Sequence, residues 1–419
     1  MKVCVFTLGC KVNFYESDSL INLLNNEGFQ TTNKLEFADV YILNTCCVTN
    51  EGERKSRQLV TRCRSFNNKA KIIVCGCASQ KNAKQFEDLG VDVVVGNGYK
   101  SEIVKLINQE KLVNIKTLPK EYIDDMQSES QRVRAYLKVQ DGCNNFCSYC
   151  IIPFVRGRSR SRDIFSVKRE AERLSKTCAE IVLTGINLSD YKPSLIELIE
   201  SLGDINSRIR LGSLEVNVIT EEFLDRLFKV KNFCPHFHLS LQSGSSKVLK
   251  EMNRHYTKEE YLEKIEMIKK YFPMASITTD LIVGFPTETD EDFLESIDTI
   301  KKAEFFMVHC FPYSMREGTK ASLMPQVLNS VKKQREKVVL NCVKELNEKY
   351  VEKLKTNFVW QNVLIEEEVM IENNKFFVGH SEYFVKCYID FDEKFKINDI
   401  VCCEIEKIFN DGVKCTCKQ

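Results

Sequence analysis

The segment DGCNNFCSYCIIP, residues 141–153, sets Cys143, Cys147 and Cys150 at C-x3-C-x2-C spacing directly after a strand-like run. Three thiolates this close can wrap a loop around one inorganic centre. A structural zinc site closes with four ligands, and no fourth Cys or His stands nearby in the sequence. Three soft ligands suit a [4Fe–4S] cluster that leaves one iron open for a substrate or cofactor. Unrelated buried thiols have no reason to keep this spacing.

The rest of the composition narrows the setting. There are 19 cysteines among 419 residues. The N-terminus, MKVCVFTLGCKVN, reads as a strand with no signal-peptide pattern. No apolar run approaches the roughly 20 residues that span a bilayer. The expectation is a cytoplasmic, non-membrane protein whose thiols stay reduced, so metal or redox chemistry accounts for clustered cysteines better than disulfides do. The net charge is only +1, but it hides local excesses. Arg54, Lys55, Arg57, Arg62 and Arg64 lie together without an acidic residue, and seven basic residues face three acidic ones between Arg156 and Arg173. Both patches are compatible with a phosphate-bearing partner.

Hydrophobic patterning predicts an α/β chain in three parts. Short apolar runs at Val3–Leu8, Val40–Thr45, Ile72–Cys75 and Val91–Val95, alternating with helical stretches such as Glu16–Asn26, predict an open α/β sheet over residues 1–110. Residues 111–131 lack periodicity and read as a linker. Over residues 132–353, strands at Ala135–Val139, Glu180–Thr184, Arg208–Gly212, His236–Leu241, Ser276–Val283 and Phe306–Phe311 recur with helices between them, among them Thr257–Lys270 and Asp290–Lys301. Six βα units are too few for a closed eight-stranded barrel and predict a partial (βα)6 barrel, followed by a charged helix near Ser330–Glu352. Residues 354–419 carry five strand-like runs and no long helix, which predicts a small β-barrel.

A cysteine triad after the first strand of such a series resembles the radical S-adenosylmethionine superfamily. There, three cysteines hold a cluster whose fourth iron is chelated by the cofactor's methionine end, and reductive cleavage yields a 5′-deoxyadenosyl radical. TLGCKVNFYES (residues 7–17), NTCCVT (44–49) and CGCASQ (75–80) look like the N-terminal motifs of the methylthiotransferases. The resemblance covers essentially the whole chain. It implies that Cys10, Cys46 and Cys77 hold a second [4Fe–4S] cluster, while Cys47 and Cys75 fall at variable positions. It also implies cofactor-binding roles for Tyr149, Gly185, Ser213, Glu215, Gln242, Arg254, Asp280 and Gly284. Gly212, Val216 and Met315 depart from the expected pattern at non-ligand positions.

Within the family, the motifs look most like the enzymes that modify C2 of N6-threonylcarbamoyladenosine at position 37 of tRNA. Sibling groups act on N6-isopentenyladenosine in tRNA or on an aspartate of a ribosomal protein. C2 of adenine has neither an acidic proton nor a leaving group, so its functionalisation needs a radical, with cofactors carrying the hard step. The resemblance implies transfer of sulfur from the second cluster, tRNA bound through its anticodon loop, a reductant such as flavodoxin or ferredoxin, and an unspecified sulfur source. The terminal segment GHSEYFVKCYI (379–389) resembles a TRAM domain, a tRNA-binding β-barrel. From Lys355 onward, however, 12 acidic residues outnumber 8 basic ones. The expected tRNA contacts are therefore Arg156, Arg158, Arg160 and Arg162, with Lys386 and a basic face including Lys375 and Lys414. A rival class, an electron carrier with an RNA-binding tail, would normally close its cluster with four thiolates.

Overall fold

The computed structural model describes all residues except Tyr99, Asp125, Ser130, Gln131 and Gln419. The stretch read as a linker thus lies partly outside the described residues.

The N-terminal part is one parallel sheet of β1 (Lys2–Thr7), β2 (Gln30–Thr32), β3 (Val40–Thr45), β4 (Lys71–Gly76), β5 (Val93–Val95) and β6 (Leu112–Asn114), in the order β2-β1-β3-β4-β5-β6. All six residues of β3, VYILNT, are buried, as a parallel strand covered on both faces requires. β6 corrects the sequence reading. It lies in the expected linker, and its three half-exposed residues carry no pattern of their own; pairing with β5 makes them a strand. Helices α1 (Lys11–Asn26), α2 (Asn50–Phe66) and α3 (Cys77–Lys81) follow β1, β3 and β4. Those strands are neighbours, so the loops at their C-terminal ends lie side by side. Thr49 starts α2 by accepting a hydrogen bond from the Gly52 amide at 3.0 Å, with Glu51 and Glu53 in the positive first turn.

The central part adds β7 (Arg134–Lys138), a small antiparallel pair β8 (Gln140–Asp141) and β9 (Arg160–Ser161), then β10 (Glu180–Thr184), β11 (Arg208–Leu211), β12 (His236–His238), β13 (Ser276–Val283) and β14 (Met307–Pro312). Sheets β7-β10-β11 and β12-β13-β14 are joined by parallel bridges at Ile209–Phe233 and Leu214–Leu239. The six long strands form the expected partial barrel, with an open flank between β7 and β14. Thr257 and Thr289 form capping boxes with Glu260 and Asp292, which fixes where two of the surrounding helices begin.

The 28-residue helix Asn329–Thr356 leads to a closed barrel of β15 (Gln361–Ile371), β16 (Asn374–His380), β17 (Lys386–Asp390), β18 (Ile400–Phe409) and β19 (Gly412–Cys417). This barrel docks at the N-terminal ends of the central strands, away from the cysteine loop. Buried Glu180 holds Arg208 at 2.6 Å and Arg210 at 2.8 Å. Their guanidiniums donate onward to the carbonyls of Asn362, His380, Ser381 and Glu382 at 2.7–3.0 Å. Phe384 stacks on His236 with ring centroids 4.6 Å apart.

Candidate active site

A cavity of about 320 Å³ opens at the C-terminal ends of the central strands. Cys143, Cys147, Cys150, Tyr149, Ser213, Glu215, Gln242, Arg254 and Asp280 all line it, and Val48 and Thr49 of the N-terminal part close one side. Gly185 and Gly284 lie outside the lining. Gly185 packs on Gln140, where an added Cβ would come within 2.8 Å of Oε1, while its neighbours Ile186 and Asn187 reach the cavity. Gly284 makes a turn whose amide donates to Glu288 at 2.6 Å, with Lys332 packed over it.

The lining holds polar groups that the protein leaves unpaired. Arg254 bonds Glu215 at 3.0 Å and approaches the Cys147 sulfur at 3.5 Å, but its buried Nη2 has no partner. Asn187 Nδ2 and the Tyr313 hydroxyl, in the same lining, are also buried and unpartnered. Buried polar groups are normally satisfied, so three orphans on one cavity fit a polar ligand such as a zwitterionic amino-acid end. Gln242 sits at φ +66°, a strained conformation for a non-glycine residue of the kind that gathers at functional sites. Burial pushes the Cys143 thiol up to about 11 and that of Cys150 to about 12, and the adjacent Cys147 charge adds to both. Thiols so placed give up their protons readily only to a metal. The loop triad could therefore hold a cluster.

The second triad comes from the adjacent strand ends. Cys10 precedes α1, Cys46 follows β3 and Cys77 opens α3. Glycines at positive φ precede two of them, Gly9 at +114° and Gly76 at +104°. A Cβ on Gly9 would lie 3.3 Å from the Cys46 sulfur, and one on Gly76 would lie 2.5 Å from the Thr45 carbonyl. Only glycine admits both the backbone angle and the approach. Burial pushes the Cys46 thiol to about 12, with Cys77 and Cys10 adding to it, which marks the three as electrostatic neighbours. Asn97 Nδ2 and Arg156 Nε donate to the Cys77 sulfur at 3.3 and 3.4 Å. Cys47 and Cys75 are packed into separate apolar cores. Among the described residues no three His, Cys, Asp or Glu side chains converge as ligands of a single ion would; a cluster gives each thiolate its own iron and needs wider spacing.

The expected tRNA surface is corrected. Arg156 and Arg162 are 1% exposed and Arg160 is 9% exposed. Arg156 bridges Glu16 at 2.9 Å and Asp141 at 3.1 Å, Arg160 holds Asp141 at 3.1 Å, and Arg162 pairs with Glu170. Lys100 and Lys138 complete this buried network against Glu16. Arg156 fastens the N-terminal part to the central barrel through Glu16, and Arg162 donates to the Tyr15 hydroxyl at 3.3 Å, while Arg160 stays within the central part; a charge so far from water needs a counter-charge. Arg158 stays exposed, its guanidinium 4.3 Å from the centre of the Phe146 ring. The terminal barrel's basic face is balanced: Lys375, Lys386 and Lys414 pair with Glu368, Asp411 and Asp390 at 2.6–2.9 Å. Sequence reasoning missed Asn97, Asn187 and the structural role of Arg156. Only the glycine before Cys10 and Cys77 could have signalled these strand ends.

A partial parallel barrel with a C-x3-C-x2-C loop at the C-terminal ends of its strands defines a radical S-adenosylmethionine enzyme, and the Radical SAM superfamily matches residues 137–300. Residues 2–96 match Uncharacterized protein family UPF0004. The chain is 38% identical to the threonylcarbamoyladenosine tRNA methylthiotransferase MtaB of Aquifex aeolicus, over 89% of this chain and 95% of that one. It is 36% identical to the MtaB of Bacillus subtilis, over 92% and 89%, and 34% identical to the tRNA-2-methylthio-N(6)-dimethylallyladenosine synthase of Clostridium tetani, over 88% and 86%. The chain belongs to the radical S-adenosylmethionine methylthiotransferase family, whose cofactors are S-adenosylmethionine and [4Fe–4S] clusters. Its fold is similar to that of the radical S-adenosylmethionine methyltransferase TsrM from Kitasatospora setae, with a TM-score of 0.58 at 14% identity over 77% of each chain. Among the described residues no helix is long and apolar enough to cross a membrane.

Proposed function

We propose that the protein transfers a methylthio group to C2 of N6-threonylcarbamoyladenosine beside the anticodon of tRNA. One observation carries the reading: the loop triad and the residues just after Cys46 line a single cavity, so one substrate atom can meet both centres. Cys143, Cys147 and Cys150 would hold the cluster that binds S-adenosylmethionine, and Cys10, Cys46 and Cys77 the second. When bound, these groups supply the methyl, the sulfur and the radical that opens an unactivated C–H bond. Arg254, with its free Nη2, and Asn187 anchor the cofactor's polar end beside Glu215. Tyr149, edge-on to Phe285 at 6.4 Å, walls the site against water. Asn97 and Arg156 orient the Cys77 sulfur through their N–H donors. The adenine reaches the cavity by leaving the single-stranded anticodon loop. Exposed Arg54 and Lys55 near the start of α2, with Arg158, offer phosphate contacts, and exposed Arg62 extends that surface along the helix. A flavodoxin or ferredoxin in the cytoplasm supplies electrons.

Mass spectrometry of tRNA nucleosides from cells lacking the gene and from complemented cells tests this. The expected result is loss of 2-methylthio-N6-threonylcarbamoyladenosine with accumulation of its precursor. Loss of the isopentenyl counterpart would change the substrate and keep the chemistry, and an unchanged profile would overturn the tRNA assignment.

A further inference from the structure

Several cysteines outside the two triads, among them Cys47, Cys75 and Cys178, are packed into apolar cores. Cys403 and Cys417 of the terminal barrel are placed differently. They face each other directly across the antiparallel ladder of β18 and β19. The Lys418 amide donates to the Cys402 carbonyl at 3.0 Å. The ladder bonds thus fall on the flanking residues, and Cys403–Cys417 is a non-hydrogen-bonded pair, the kind whose side chains approach most closely. The two sulfurs lie 3.3 Å apart. Paired backbones of this kind, about 4.5 Å apart, fall within the span of a disulfide. Closing the gap between the sulfurs therefore needs side-chain rotation and no movement of either strand.

Access to the pair is graded. Cys417 is partly exposed and Cys403 is fully buried. Cys417 lies beyond Cys415, where the pairing of β19 with β17 ends, so β18 is the strand that holds it. A hydrogen bond from Cys403 and the nearby Lys394 ammonium draw the Cys417 thiol below its ordinary value against the effect of burial, and the same contact drives Cys403 up. The outer sulfur is the readier nucleophile and the inner one is positioned to resolve. Cys387 and Cys415, neighbours inside the same barrel, are 0% and 2% exposed and closed to an oxidant. Cys402 stands on the opposite face of β18 from Cys403.

We propose that Cys403 and Cys417 form a reversible dithiol–disulfide pair, a modification site separate from the methylthio chemistry. The oxidant is a small-molecule disulfide of the glutathione type. The Cys417 thiolate attacks one of its sulfurs and expels a thiolate, leaving a mixed disulfide. Cys403 then gives up its proton, attacks the Cys417 sulfur and expels the second thiolate. Two protein thiols are oxidised to one disulfide, the reagent disulfide is reduced to two thiols, and the two protons pass to the released thiolates. The new bond pins the end of β19, the strand between β17 and β18 in the closed barrel, to β18. In reducing surroundings such bonds are transient and redox-sensing.

The test uses the full-length protein with both clusters loaded, incubated without oxygen in oxidised glutathione, then alkylated and mapped by peptide mass spectrometry. Wild type should lose the alkylatable thiols of Cys403 and Cys417 together and yield one cross-linked peptide pair, which dithiothreitol reverses. Cys403→Ser should instead trap glutathione on Cys417, and Cys417→Ser should leave Cys403 free for alkylation after unfolding. Iron content before and after incubation shows whether the cluster ligands stayed out of the exchange, and the wild-type map needs no substitution. Cys403 and Cys417 both remaining alkylatable, glutathione persisting on Cys417 of the wild type, or a cross-link through Cys402, Cys387 or Cys415 would each overturn the proposal.

Discussion

Cys143, Cys147 and Cys150 share one loop, whereas Cys10, Cys46 and Cys77 come from the ends of three strands spread over the first 77 residues. The first triad needs only its loop, held by the Cys143 amide on the carbonyl of Gly157, ahead of β9, at 3.1 Å. The second exists only if β1, β3 and β4 pair side by side and in register. Local spacing can therefore build a metal site at little topological cost, while a site made by sheet adjacency inherits the stability of the whole sheet and of the charged seam beneath it.

The strongest way to separate the triads is to remove one ligand from each. Cys147→Ala should abolish reductive cleavage of S-adenosylmethionine, a loss on the order of 10³-fold or more. Cys46→Ala should leave that cleavage in place and stop methylthio transfer. Iron analysis should fall from about eight to about four atoms per chain in both. Equal loss of cleavage in the two variants would mean that the triads are not separable centres.

Next in size is the seam. Glu16→Gln leaves Arg156, Lys100 and Lys138 short of a counter-charge and should cost about 3–5 kcal/mol in a denaturant melt. Burial alone would raise the Glu16 carboxyl, but Arg156, Lys100 and Lys138 hold it well below the usual carboxylate range. Because the folded value is the lower one, the stability it contributes is present above about pH 4.3 and is lost as pH falls toward the folded value. Acid titration of stability should accordingly be flatter in Glu16→Gln, and identical curves would remove the seam from the account.

Thr49→Ala should cost about 1 kcal/mol through loss of the α2 cap. Thermal melts would show that loss, and cluster-release kinetics should show the second centre becoming labile before the first. The smallest effect belongs to Arg158→Ala, which should weaken tRNA binding a few-fold and reduce the salt slope by about 1 if it meets a phosphate. Filter binding over a salt series reads both.

The fold was largely legible because its strands are apolar enough to declare themselves. Val40–Thr45, Glu180–Thr184 and Ser276–Val283 match the observed strands to the residue. β6 was not, since Leu112–Asn114 become a strand only by adding to β5. Helix α1 starts at Lys11, earlier than its pattern suggests, because the face it buries there mixes polar Asn13 and Glu16 with Val12 and Tyr15, so residue type hides the helical spacing. Of the residues that the resemblance assigned to the cofactor, Tyr149, Ser213, Glu215, Gln242, Arg254 and Asp280 line the cavity, whereas Gly185 and Gly284 do not.

The arginines mark the limit of that reading. A run such as RGRSRSR looks the same in sequence whether it faces phosphate or a buried carboxylate. Glu16 lies 140 residues from Arg156, and no local pattern couples them. Spacing, periodicity and residue type by themselves pointed to most of the strands, the three-part order and the Cys143, Cys147 and Cys150 triad, while Cys10, Cys46 and Cys77 were singled out by the motif resemblance. Which charges meet and which polar atoms are left without partners were decided by tertiary structure, because Coulomb and hydrogen-bond energies depend on distance and burial rather than on neighbours in the chain.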